Sequence, residues 1–311
     1  MRSRFAIAFS LLLLAACRGP KTRTIAVIPK GTAHLFWVSV EAGAMSAGKQ
    51  FGVEVLWNGP AMETDYDRQI QIMDSMIARR VDGIALAVTE KTALIQPVER
   101  AAAQGIPVTV FDSGVDTSNY VTFIATDNYE GGKIAATELG RLTGGKGSVA
   151  MVMNAPGSLS TMDRERGFEE TIAKDFPGMH IVARQYGLSD PGKARAAAEN
   201  ILTAHPEIVG IFASAEPSSV GTALALRSRG LAGKIHLIAF DSSDTMVTDL
   251  KEGVIAAMVV QDPFQMGFEA VKSLVDKLDG RVPPKRMDLH ARLIRKADLD
   301  NPEVMRLLKP K

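Results

Sequence analysis

One pattern restricts the fold of this chain more than any other: apolar, β-rich runs end in polar residues and alternate with helical segments from one end to the other. The stretch 234–267 shows the unit. Residues 235–240 form an apolar run long enough for a buried strand, and it stops at Asp241, Ser242 and Ser243, which is helix N-cap chemistry. A helical segment follows with Met246, Val247 and Leu250 on one face, ended by Gly253, and a second apolar run over 254–260 delivers Gln261, Asp262 and Pro263. Strand, polar terminus, helix, strand is one unit of a parallel α/β sheet, where ligands sit beyond the strand ends.

The same unit recurs in order. The patterning predicts strands over 24–28, 53–57, 84–88 and 107–111, with a short apolar run at 121–124, and helices over 36–51, 63–80 and 93–104. Helices over 129–142, 160–176, 193–204 and 218–230 then alternate with strands over 148–153, 180–185 and 208–213. Helices set between strands in this way argue for parallel sheets covered on both faces. So many strands overfill one compact sheet, and a length of 311 residues suits two domains of about 120–150 residues each. The division falls near Ala125-Thr126-Asp127. The helix after Pro263, with Met266, Ala270, Leu274 and Leu278 at helical spacing, does not fit the sheet that precedes it.

The first residues are of another kind. Arg2 and Arg4 precede an apolar stretch over 5–14, closed by Leu14-Ala15-Ala16-Cys17. This is a secretory signal, too short to span a bilayer as a mature helix. Its ending resembles the bacterial lipobox, in which the cysteine becomes the lipidated first residue of the mature protein. A lipoprotein signal peptide over 1–17 and a tether over 18–23 are therefore expected, with the protein working outside the cytoplasm, lipid-anchored to the membrane through Cys17. Cys17 is the single cysteine, so internal disulfides and cysteine-rich metal sites are excluded. A net charge of +1 gives no reason to expect a nucleic-acid partner.

Motifs for chemistry are missing. Gly140-Arg141-Leu142-Thr143-Gly144-Gly145-Lys146-Gly147 nearly spells a phosphate loop, but Gly147 stands where Ser or Thr is needed and the loop runs from helix into strand. It reads as a turn. No G-x-G-x-x-G follows the first strand, so a dinucleotide fold lacks support. The five histidines are scattered without a metal-binding spacing, and no G-x-S-x-G occurs. No catalytic residue, cofactor or metal is expected.

What remains is a set of polar and aromatic residues at the C-terminal ends of strands. His34, Phe36 and Trp37 follow the first strand, Asp112 and Ser113 the fourth, and Arg164 the strand over 148–153. Glu216, Asp241 and Gln261 follow the later ones. Two such edges facing each other make a polar cleft with aromatic walls, which suits a polyhydroxylated ligand.

Several stretches, in order and spacing, give the chain a likeness. They include Thr24-Ile25-Ala26-Val27, Phe36-Trp37-Val38-Ser39 with Gly43-Ala44, Gly105-Ile106-Pro107-Val108 ahead of Phe111-Asp112, and Thr126-Asp127-Asn128 with Gly131-Gly132-Lys133. Further on come Arg164-Glu165-Arg166-Gly167-Phe168, Leu202-Thr203-Ala204-His205-Pro206, Phe240-Asp241 and Gln261-Asp262-Pro263. Over residues 24–295 the chain resembles the ribose-type sugar-binding proteins of bacterial ABC transporters. The resemblance implies the type I periplasmic-binding-protein clamp: two doubly wound parallel-sheet α/β domains joined by three crossovers and hinged to close on a sugar. Crossovers are expected near 125–127, 260–262 and 287–290. The N-terminal α/β domain would comprise 24–126 plus 262–287, and the C-terminal one 127–261 plus 288–311. Its ligand contacts carry over to His34, Phe36, Trp37, Asp112, Ser113, Arg164, Ser189, Ala215, Asp241 and Gln261, with Glu216 beside them. The chain departs from the ribose pattern at His34 and Ala215, where asparagines are expected, at Ser113, where an arginine is expected, and near Ser189, where an aromatic is missing. Ribose itself as the ligand does not follow.

The function implied is a solute-binding protein, a monomer without chemistry of its own, that hands a sugar or polyol to an ABC transporter permease. A sensory or chemotaxis receptor for the same ligand class is the alternative, and an extracytoplasmic α/β enzyme a more remote one. A sugar-responsive repressor would need an N-terminal helix-turn-helix where this chain has a signal peptide. Counting Asp112, Glu216 and Asp241 against one fixed cation, Arg164, with Lys30 left outside, the ligand is expected to be neutral or amine-bearing and of monosaccharide size, gripped by hydrogen-bond donors rather than anions.

Overall fold

The computed structural model describes residues 22–308, so the expected signal sequence over 1–17, with Cys17, lies outside the described residues. From its start the chain runs β1 (Thr24–Ile28), α1 (Leu35–Phe51), β2 (Glu54–Trp57), α2 (Tyr66–Ala78), β3 (Gly83–Leu86), α3 (Ile95–Ala103), β4 (Val108–Phe111) and β5 (Phe123–Thr126). It then continues with α4 (Asn128–Thr143), β6 (Lys146–Met153), α5 (Leu159–Asp175), β7 (Gly178–Tyr186), α6 (Pro191–Ala204), β8 (Ile208–Ala213), α7 (Glu216–Ser228), β9 (His236–Phe240), α8 (Asp244–Glu252) and β10 (Ala257–Val260). The end is α9 (Pro263–Leu278), β11 (Arg286–Leu289), β12 (Arg292–Arg295), a short 3-10 turn and α10 (Pro302–Leu308).

These strands form two six-stranded sheets, ordered β11-β5-β4-β3-β1-β2 and β12-β10-β9-β8-β6-β7. The first sheet is wholly parallel, and in the second only β12 runs against its neighbour β10. Alternation along each strand feeds alternate faces, as the two-residue pleat requires. Ile25 and Val27 join Trp37 and Val40 in one core layer, whereas Ala26 and Ile28 join Ile72 and Met73 in the layer on the other face. Val149 and Met151 part from Ala150 and Val152 in the same manner. This is the two-domain α/β fold that the alternation predicts, and the helix after Pro263 indeed packs on the first sheet against α1.

The chain passes between the sheets three times, after β5, after β10 and after β11. Each passage leaves from the C-terminal end of a parallel strand, which places all three at one edge. The last one has only His290 and Ala291 between β11 and β12. With no room for a helix to carry it back, the chain must run down the second sheet from that same edge, and β12 is therefore antiparallel. Asp288 and Leu289 pair with Ala125 and Thr126, so strand pairing keeps them with the first sheet rather than with the C-terminal domain expected to begin at residue 288.

Helix starts follow the capping rules. Asp65, Asp127, Asp190, Ser243 and Asp262 each accept a hydrogen bond from the amide three residues on. The Asp65 cap moves the start of α2 from the expected residue 63 to Tyr66, leaving Glu63 in the preceding loop.

Two helix crossings are set by glycine. A Cβ on Gly43 of α1 would lie 1.9 Å from the Phe264 carbonyl oxygen, and one on Gly267 of α9 would lie 2.0 Å from that of Val40. In the second domain Gly132 of α4 meets the Arg164 carbonyl oxygen at 2.0 Å and Gly167 of α5 meets that of Tyr129 at 2.1 Å. Backbone touches backbone at both crossings, and the second one sets the depth of Arg164.

Candidate functional site

The C-terminal edges of the two sheets face each other across a narrow chamber. From the first domain it is lined by Lys30 after β1, by His34, Phe36 and Trp37 at the start of α1, by Glu63 after β2 and by Asp112 after β4. The second domain contributes Asn154 after β6, Thr161 and Arg164 on α5, Ala215, Glu216 and Pro217 after β8, and Asp241 after β9, while Gln261 lies at the passage after β10.

Trp37 is buried in the first core, edge-on to Phe36 at 4.9 Å between centroids, and its indole N–H donates to Glu63 Oε1 at 2.7 Å. Lys30 is 4% exposed and its Nζ lies 2.9 Å from Asp112 Oδ2 and 3.9 Å from Glu63 Oε2. Asp112 sits at a positive φ of 58°, a turn that aspartate tolerates better than most residues and that aims its carboxylate inward. Lys30 is thus the close partner of the buried Asp112 Oδ2.

On the opposite wall, the Arg164 guanidinium lies 3.8 Å over the Phe240 ring, donates from Nε to Asn128 Oδ1 at 2.7 Å, and donates from Nη1 to the Ser214 carbonyl at 2.9 Å. Asp241 accepts from the Glu216 amide at 3.0 Å and from Gln261 Nε2 at 2.6 Å, and its carboxylate lies 3.8 Å from Arg164. Gln261 in turn accepts from Thr126 Oγ1 at 2.6 Å, so this side chain ties two of the three passages together. Behind the wall the buried Glu165 accepts from the Asn154 amide and from Ser214 Oγ. Burial pushes its pKa up to about 7 against those bonds.

The two domains also touch directly. Lys30 Nζ donates to Ser158 Oγ and Ser160 Oγ, each at 3.2 Å, and the Ser160 amide donates to Ser113 Oγ at 3.2 Å. Ser189 Oγ donates to Glu63 Oε2 at 2.9 Å, and the Phe36 amide donates to Glu216 Oε2 at 3.2 Å. The last bond stands in for a cap on α1, since its N-cap residue His34 makes no side-chain cap bond. Burial and the neighbouring Asp241 charge push the Glu216 carboxyl up to about 7, with the Phe36 and Leu35 amides offsetting part of the rise. Burial raises Asp112 likewise despite Lys30 and Arg164, whereas Lys30, His34 and the Trp37 and Ser189 bonds overcome burial at Glu63 and hold its pKa below the usual value.

The structure thus brings His34, Phe36, Trp37, Asp112, Arg164, Ala215, Glu216, Asp241 and Gln261 to one chamber. Ser113 and Ser189 are not among the lining residues, and their hydroxyls are used in bonds between the domains. Five lining residues escape the sequence reading, Thr161 and Pro217 among them. Lys30, left outside the charge count, is inside. Glu63, assigned to a helix, is in a loop that reaches across the cleft. Asn154, the residue after β6, obeys the same strand-end rule that singled out the others and could have been found by it.

A buried polar chamber between two α/β domains joined by three passages is the arrangement of a solute-binding protein. No group of three or more metal-ligating side chains occurs among the described residues. The chain belongs to the family described as periplasmic binding protein domain, whose profile it matches over residues 25–281. It is 27% identical to the D-ribose/D-allose-binding protein of Pseudomonas aeruginosa, over 86% of each chain. It is also 27% identical to the ribose import binding protein of Bacillus subtilis, over 92% of this chain and 96% of that one. Among solved structures, a carbohydrate transporter solute-binding protein of Agrobacterium radiobacter in complex with D-arabinose superposes with a TM-score of 0.91 at 34% identity, covering 94% of this chain and all of that one. These relatives are sugar-binding proteins of transport systems, not enzymes.

Proposed function

We propose that this protein captures a monosaccharide-sized neutral or amine-bearing sugar or polyol outside the cytoplasm and delivers it to the permease of an ABC importer, acting as a monomer held at the membrane by a lipid on Cys17. The observation that carries the ligand class is the buried Asp112 carboxylate, which faces the chamber paired with Lys30 and can accept from a further donor on a ligand. A sugar hydroxyl supplies such a donor without bringing charge, and Trp37 or Phe36 gives an apolar surface for the ring's C–H face. Arg164, Asp241 and Gln261 would grip its opposite edge. The D-arabinose, α-D-tagatopyranose and D-fucose held by structural relatives are of monosaccharide size.

Titration calorimetry against pentoses, hexoses, amino sugars and sugar acids tests this. Neutral or amine-bearing monosaccharides are expected to bind and sugar acids to be rejected, because four carboxylates line the chamber, Glu63, Asp112, Glu216 and Asp241. Tighter binding of a sugar acid than of its neutral parent would overturn the ligand class.

The anchor has its own test. The basic start, apolar stretch and Leu14-Ala15-Ala16-Cys17 ending support lipidation. Cys17→Ser should shift the protein out of the washed membrane fraction or leave its signal uncleaved. Membrane attachment of a processed Cys17→Ser protein at the original level would rule the anchor out.

A further inference from the structure

We infer that Lys30 sets the charge specificity of the chamber: its ammonium supplies the positive charge beside Asp112, so the site selects an uncharged sugar over an amine-bearing one. This rests on the sugar-binding reading above and narrows it.

The position of Lys30 is built rather than incidental. An ammonium has three donors and no acceptor. Two of those donors meet Ser158 and Ser160 across the cleft, at 3.2 Å each. The Asp112 carboxylate lies 2.9 Å away and that of Glu63 at 3.9 Å. Ser158 is the N-cap residue of α5, the helix that carries Arg164, and its hydroxyl makes no cap bond of its own.

Elsewhere in the chamber the carboxylates already have donors. Glu63 accepts from Trp37 and Ser189, Asp241 from Gln261 and the Glu216 amide, and Glu216 from the Phe36 amide. Asp112 differs in that its close partner is a cation, the Lys30 ammonium 2.9 Å from Oδ2. A ligand hydroxyl can donate to that oxygen while Lys30 balances the charge. A ligand ammonium would meet Lys30 at short range in a site with little water, where like charges repel strongly.

The test compares a neutral sugar found to bind with its amine-bearing analogue, by calorimetry, on wild type, Lys30→Met and Lys30→Gln. Wild type is expected to bind the neutral sugar at least tenfold more tightly. In Lys30→Met the neutral sugar should lose at least tenfold while the amine loses less or gains, so their ratio moves at least fivefold toward the amine. A merely structural role would lower both equally, and equal losses or unchanged affinities overturn the inference. Lys30→Gln keeps a donor for the serines without the charge and must shift the ratio in the same direction, which covers a Met variant that folds poorly. If wild type binds no sugar at all, the proposed function falls and this inference with it. A wild-type preference for the amine overturns the inference alone.

Discussion

Asp112→Ala is expected to weaken sugar binding at least a hundredfold, which corresponds to about 2.7 kcal/mol. Asp112 is 2% exposed and faces the chamber, paired with Lys30. Removing the carboxylate deletes the acceptor for a ligand hydroxyl. It also leaves the Lys30 ammonium buried without its nearest counter-charge, 2.9 Å away. Breaking one side of a buried charge pair costs about 2–5 kcal/mol, much of it the penalty on the partner left behind. Asp112→Asn separates these contributions, because asparagine also tolerates the positive φ of 58° and keeps one acceptor oxygen while losing the charge. It should fall between wild type and alanine. Calorimetry on variants whose melting curves remain cooperative checks both. A loss below tenfold for Asp112→Ala would remove Asp112 from the site.

The second large effect is on folding. Gly132→Ala should destabilise the protein by about 3 kcal/mol, the upper part of the usual range for overpacking. The added Cβ would lie 2.0 Å from the Arg164 carbonyl oxygen and 2.8 Å from the Phe168 amide nitrogen. Both atoms belong to the backbone of α5, so no rotamer change relieves the clash and the helices must separate. Arg164 moves with its backbone, away from Asn128 and Ser214. Sugar affinity should therefore drop in whatever fraction folds. Urea unfolding followed by circular dichroism reads the stability, and a midpoint within error of wild type would show that α4 and α5 can part freely. The same reasoning applies to Gly43 and Gly267 between α1 and α9, where the approach is as close.

Much of this architecture is legible in local sequence. The two-residue alternation at Ile25-Ala26-Val27-Ile28 and the helical spacing of Ile70, Met73 and Ile77 act through neighbours along the chain, so each can be read without knowing the fold. The polar residues that end the strands could be picked out for the same reason, since parallel sheets expose that edge to ligands. Two further strands could not. β11 and β12, with the sequences RMDL and RLIR, are each half charged and are held by pairing with β5 and β10. Their partners lie far away in the chain.

Glu63 and Lys30 mark the boundary in the site itself. Glu63 continues the amphipathic pattern of α2, but Asp65 caps the helix at Tyr66 and frees the glutamate to accept from Trp37 and from Ser189 of the other domain. Lys30 follows Pro29 at a strand end, so its location was plain and its direction was not. By itself the sequence determined the sheets, the helices and the edge on which a ligand would sit, because periodicity and capping are local forces. Which charges enter the chamber was decided only by tertiary structure. A lysine turns inward when a carboxylate and two hydroxyls await it, and here Asp112, Ser158 and Ser160 come from two other loops and the opposite domain.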